Sequence, residues 1–139
     1  MSSGTPSHAV TAAVLAAAVA AVLWPARSAR ADRSIIDNNK TIAVDCARDP
    51  EINLVGNHLT VTATGVCAKI TVTGNHESVT GSARVVYVAG GHNTVTLAAA
   101  DDITVAGSNN TLTVQKALSR AAPRVTNSGR ANHVTGPSQ

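Results

Sequence analysis

His58, His76 and His92 each lie two residues after a glycine, at Gly56, Gly74 and Gly90. Imidazole nitrogens are common ligands of zinc and copper, and the ring changes charge between about pH 5 and 8. Three such rings on successive turns of a repeat could hold one ion at nitrogen–metal distances of about 2.0 to 2.1 Å, with Asn75 or Glu77 completing the shell. Held close together, they could equally resist being charged at once and so sense acid. The plainer reading is that histidine is an ordinary exposed turn residue. No short Cys/His ligand spacing supports a metal. The expected state is therefore cofactor-free, with zinc or copper at His58, His76 and His92 as the alternative.

The remaining reactive residues are sparse. Cys46 and Cys67 are the only cysteines. In an exported chain two cysteines most simply form a disulfide, and about one repeat of separation would put them on adjacent turns. Closing such a loop contributes about 3 kcal/mol. Asp101-Asp102 is the one pair of adjacent carboxylates, but neighbours on a strand point to opposite faces. The other acids are dispersed. There is no Gly-x-Ser-x-Gly elbow, no His-Glu-x-x-His and no phosphate loop, so an enzyme is not expected. Binders of single-stranded nucleic acid present aromatic platforms. Tyr87 is the one tyrosine and there is no phenylalanine, so nucleic acid is not an expected partner.

These residues are positioned by a repeat. An apolar-x-apolar-x-Gly step recurs at Gly56, Gly74, Gly90, Gly107 and Gly129, and an apolar residue follows each glycine five places on, at Val61, Val79, Val95, Leu112 and Val134. Asp37 with Ile42 forms a degenerate further copy. The anchors recur at intervals of roughly 16 to 22 residues, and units of such a period bury their apolar face only when stacked. Each copy reads as one strand before the anchor, such as Ile70-x-Val72, and one after it, such as Val95-x-Leu97, both alternating with period 2. The Gly-x-x-Asn type corner is expected to supply the positive φ and the side-chain-to-backbone bonding that a sharp turn needs.

Consecutive hairpins and a parallel solenoid both fit that pattern. The solenoid is favoured because like residues recur at equivalent positions, as stacking at about 4.8 Å requires. The fourth place after the anchor reads Thr41, Thr60, Ser78, Thr94, Thr111, His133; the sixth reads Ala43, Thr62, Thr80, Thr96, Thr113, Thr135. Asn93, Asn110 and Asn132 recur at the third. The pairs Thr60/Thr62, Thr94/Thr96 and Thr111/Thr113 form a ladder surface like the hydroxyl-and-methyl array of ice-binding solenoids, interrupted at Ala43 and Ser78. Threonine is also simply a polar residue that suits an exposed strand. The expected fold is all-β: a short parallel β-solenoid of about six two-stranded coils, thin and filled by β-branched side chains, preceded by an N-terminal signal helix. Residues 32 to 36 and the stretch from about 115 are the expected caps of its two ends.

Residues 1–31 read as a signal peptide, with an apolar stretch from Ala9 to Trp24 and a small-x-small site at Ala29-Arg30-Ala31. That stretch is shorter than the roughly 20 residues of a spanning helix, so no membrane contact is expected after cleavage. Residues 32–139 then form one repeat domain. The formal charge of +3 falls toward neutrality once Arg27 and Arg30 leave, which does not indicate a general polyanion binder. Lys116, Arg120, Arg124 and Arg130 concentrate the remaining positive charge near the C-terminus.

The repeated Ile-x-Val-x-Gly-x-x-Asn-x-Val-x-Leu, as in Ile103 to Val114, with cysteines ahead of the better-formed repeats, resembles the secreted actinobacterial proteins catalogued as domain of unknown function 3060. The resemblance covers roughly Ile36 to Val114 and implies no established activity or catalytic residue. The expectation from the sequence is an exported, non-enzymatic module, secreted or held in the cell envelope. Its expected partner is an unknown envelope protein or glycan, with end-to-end self-association open to it.

Overall fold

The computed structural model describes Gly4 and residues 32–137; the expected signal peptide and its helix otherwise lie outside the described residues. Ten strands follow in order: β1 (Arg33–Asn38), β2 (Thr41–Asp45), β3 (Glu51–Asn57), β4 (Thr60–Thr64), β5 (Cys67–Asn75), β6 (Ser78–Gly91), β7 (Thr94–Ser108), β8 (Thr111–Val114), β9 (Arg124–Asn127) and β10 (His133–Thr135). Every pairing between them is parallel. Each coil therefore bonds to the next coil rather than folding on itself, so the hairpin arrangement is excluded.

Six coils stack into two faces. One face carries β1, β3, β5, the second halves of β6 and β7, and β9. The other carries β2, β4, the first halves of β6 and β7, then β8 and β10. Strands β6 and β7 are long because each runs through a far corner, β6 with a register shift between Gly81 and Ser82. No helix among the described residues is long and apolar enough to cross a membrane.

Between the faces lies a thin core of single-file columns. Ile52, Ile70, Val86 and Ile103 stack in one column, Leu54, Val72, Val88 and Val105 in the next, and Val61, Val79, Val95 and Leu112 face them; all are buried. Burying a side chain of this size contributes roughly 1.5 to 3 kcal/mol. Stacking like on like lets β-branched residues interlock without a ring to bridge the faces. Cys46 and Cys67 are joined in a disulfide that ties the end of the first coil to the start of the third. No free cysteine is present among the described residues.

Both ends differ from the expected caps. Residues 33 to 36 belong to β1, a strand of the first coil, and Ile36 stays 75% exposed on it. The C-terminal stretch contains a sixth coil, since β9 pairs with β7 and β10 with β8. Only residues 115–123 leave the stack. Asp101 holds that excursion: its Oδ1 accepts from the backbone N–H of Leu118 and Ser119, both at 2.8 Å, and its Oδ2 accepts from Ser119 Oγ at 2.7 Å. These bonds, the Ser119 hydroxyl foremost, hold the Asp101 carboxyl below the usual carboxylate range.

Candidate functional site

The corner that follows each anchor is the most regular part of the molecule. Asp37, Gly56, Gly74, Gly90 and Gly107 pair residue to residue up the stack. A side chain on any of these glycines, or on Gly129, would collide with the backbone carbonyl of the anchor one coil earlier. Glycine is required there by close backbone approach. Asp37 is tolerated because no described coil lies beneath it, and its carboxylate instead pairs with Lys40. The Lys40 and Asn38 hydrogen bonds hold the Asp37 carboxyl below its ordinary value.

The corner supplies positive φ, as expected, and does so at one fixed place. Gly90 and Gly107 do have φ of 118°, but the residue in the left-handed region of every corner is the second after the anchor: Asn39, His58, His76, His92, Asn109 and Ala131, with φ between 53° and 59°. Among non-glycine residues, asparagine and histidine are enriched in that region. The histidines thus occupy positions that the backbone reserves for residues tolerant of left-handed geometry.

The same geometry brings the three rings together. His58 and His76 stack with centroids 4.9 Å apart and planes 3° from parallel, and His76 and His92 at 5.0 Å and 7°. Unequal repeat lengths do not disturb this register, because the extra residues enter at the opposite corner, as in residues 46–50 and 115–123. All three rings are exposed. Since ring lone pairs lie in the ring plane, those of parallel rings run side by side. One ion bound by two nitrogens at about 2.1 Å needs them within roughly 4.2 Å of each other, so sharing it requires the rings to turn out of their stack. Among the described residues no three His, Cys, Asp or Glu side chains are grouped to hold an ion. Neither expected helper is free to join: Glu77 points into the core, 1% exposed, and Asn75 donates to Asn57 Oδ1 at 3.3 Å while accepting from the Gly91 N–H at 3.0 Å.

Inside the corner runs a second column that the sequence shows only as a recurrent asparagine. Asn93, Asn110 and Asn132 donate to the carbonyls of Gly74, Gly90 and Gly107 at 3.0, 3.1 and 3.1 Å. Their Oδ1 atoms accept the backbone N–H of Glu77, Asn93 and Asn110 at 2.9, 3.0 and 3.0 Å. Each amide therefore clamps its coil to the one below, satisfying groups that burial would otherwise orphan.

The threonine ladder is in register. One row runs Thr41, Thr60, Ser78, Thr94, Thr111, His133 and the other Ala43, Thr62, Thr80, Thr96, Thr113, Thr135. All are exposed except Thr113, which is half-buried. The face offers hydroxyls and methyls at two fixed spacings, about 4.8 Å between coils and about 6.6 Å along each strand, and its rows carry no carboxylate or ammonium.

The carboxylate pair is occupied structurally. Asp101 clasps the 115–123 excursion, and Asp102 pairs with Arg120 at 3.3 Å and Arg124 at 3.9 Å. The disulfide is consistent with an oxidising, extracytoplasmic compartment. Residues 75–131, from the third corner to the sixth, match the family model described as a protein of unknown function (DUF3060), the family that the repeated motif resembles. No curated protein and no solved structure matches the chain.

Proposed function

We propose that the chain is exported and serves, without catalysis, as a structural or interaction module of the cell envelope, meeting an envelope protein or a glycan through its flat threonine face. The observation that carries this reading is the pair of in-register, outward-facing rows, which place a hydroxyl on every one of six coils and are broken only at Ala43 and His133. A rigid periodic surface suits a partner that is itself extended and repetitive. The structural employment of Asp101 and Asp102 supports the non-catalytic part.

The test is binding of the disulfide-bonded chain to a purified envelope fraction. Thr62→Lys, Thr96→Lys and Thr113→Lys together should abolish retention while leaving the far-ultraviolet spectrum and unfolding midpoint close to wild type. Retention unchanged by the three lysines, or none by the wild type, overturns the reading.

A second reading is favoured by the ring stack: an acid-responsive edge, or a zinc or copper site formed after the rings turn, at His58, His76 and His92.

A further inference from the structure

The inner corner column changes chemistry at one coil. From the fourth coil onward it is asparagine, each amide donating to the anchor carbonyl one coil below. In the third coil the place belongs to Glu77, which is 1% exposed and whose two carboxylate oxygens have no hydrogen-bond partner. Its neighbours offer none. Leu59 below supplies only methyl groups, and above it the amide of Asn93 is committed to the Gly74 carbonyl and the Glu77 N–H. Glu77 Oε1 and the carbonyl oxygen of Gly56 both border the space that a side chain on Gly74 would fill. An ionised carboxylate there would face a carbonyl oxygen with no donor between them, in a place that water does not reach.

We propose that Glu77 is the neutral acid in the folded protein, its hydroxyl donating to the Gly56 carbonyl as the asparagine amides do in later coils, so that a proton locks the second coil to the third. The titratable groups on the corners packed against it are His58, His76 and His92, all exposed on the outer side. Lys40, in the same column two coils below, is engaged with Asp37. No cation faces Glu77 to hold it ionised.

Burial alone pushes the Glu77 carboxyl from its ordinary 4.5 up to about 7. The folded state therefore binds this proton more firmly than the unfolded state. Its stabilisation is fully present below about 4.5 and is lost as the pH rises through about 7. From well below 4.5 to well above 7 the folding constant should fall by roughly 300-fold, about a hundredfold of it between about pH 4.5 and 8.

Two measurements on the intact, disulfide-bonded chain test this. Glu51 and Glu77 are the only glutamates, so in protein labelled at the glutamate carboxyl carbon the Glu77 resonance is the one missing from Glu77→Gln. It should titrate with a midpoint near 7. Urea unfolding between about pH 4.5 and 8 should show the wild type losing about a hundredfold in folding constant relative to Glu77→Gln, a difference in which the histidine contributions cancel. A Glu77 resonance titrating in the ordinary carboxylate range, or parallel pH profiles for the two proteins, overturns the proposal. If Glu77→Gln does not fold, the wild-type resonance is assigned by eliminating Glu51 with Glu51→Gln, and its midpoint decides the question.

Discussion

Gly90 carries two constraints at once: a φ of 118° and a neighbouring backbone carbonyl, that of Gly74, where a side chain would go. Neither can relax by turning a rotamer, because the obstacle is main chain on the adjoining coil. Gly90→Ala should therefore cost about 3 kcal/mol or more, at the upper end of what single substitutions do. At Asp37, the same column position in the first coil, Asp37→Ala should leave the urea midpoint nearly unchanged, since no described coil lies beneath it. Equal effects at the two positions would show that the column is not set by close approach. The contrast also explains what was readable from the sequence. The glycine spacing revealed the period because sterics enforce it, and the first copy looked degenerate because sterics are relaxed there. Which residue of the corner is left-handed was not legible, because composition alone does not separate a glycine needed for φ from one needed for contact. Glu77, expected with Asn75 as an outer helper to a metal, has a place, third after the anchor and in line with Leu59 and Asn93, that marks the inner column.

At the scale of the corner, six successive turns repeat one backbone conformation, and the side chains on it follow passively. His58, His76 and His92 stack because three equivalent left-handed residues project in the same direction one coil apart. Like charges on adjacent rings about 5 Å apart would repel. Asparagine already occupies the equivalent places at Asn39 and Asn109 with the same φ. The triple substitution His58→Asn, His76→Asn, His92→Asn therefore keeps the backbone and removes the charge. On the acid-responsive reading, urea unfolding under acid should show the wild type destabilised relative to this variant. Identical acid profiles for the two proteins would remove the acid-responsive reading. Native mass spectrometry of the same pair separates the other branch: a stoichiometric zinc or copper adduct that disappears in the variant establishes metal binding, and a metal-free wild type in the presence of either ion dismisses it.

Over the whole molecule, burial is most complete in the middle coils and falls off toward the ends, where a unit has a neighbour on one side alone. Strands β6 and β7 knit the central coils together because each runs from one coil into the next, and their inner residues Val86, Val88, Val95, Leu97, Ile103 and Val105 are buried. The sixth coil is thinner: Val125 is exposed, and Asn127 stands in line with Val105 where an inward apolar residue would be. That imperfect coil nevertheless has a use. Strand β9 pairs with Asp102–Val105 and β10 with Thr111–Thr113, so a weak coil covers the backbone edge of a well-packed one. An uncovered strand edge over a buried apolar column is a template for pairing with another chain. Ending the protein after Lys116 should therefore leave the first five coils folded and convert their top edge into a self-association surface. In sedimentation velocity the truncated protein should form dimers and larger species at concentrations where the full chain is less associated, with parallel strand pairing giving a head-to-tail rather than a two-fold contact. Adding a lysine on the bared edge, Thr113→Lys, should reverse the association, as charged edge residues do in open sheets. A truncated protein that stays monomeric with its far-ultraviolet spectrum intact would mean that the edge of the fifth coil protects itself, and the sixth coil would then need another reason to exist.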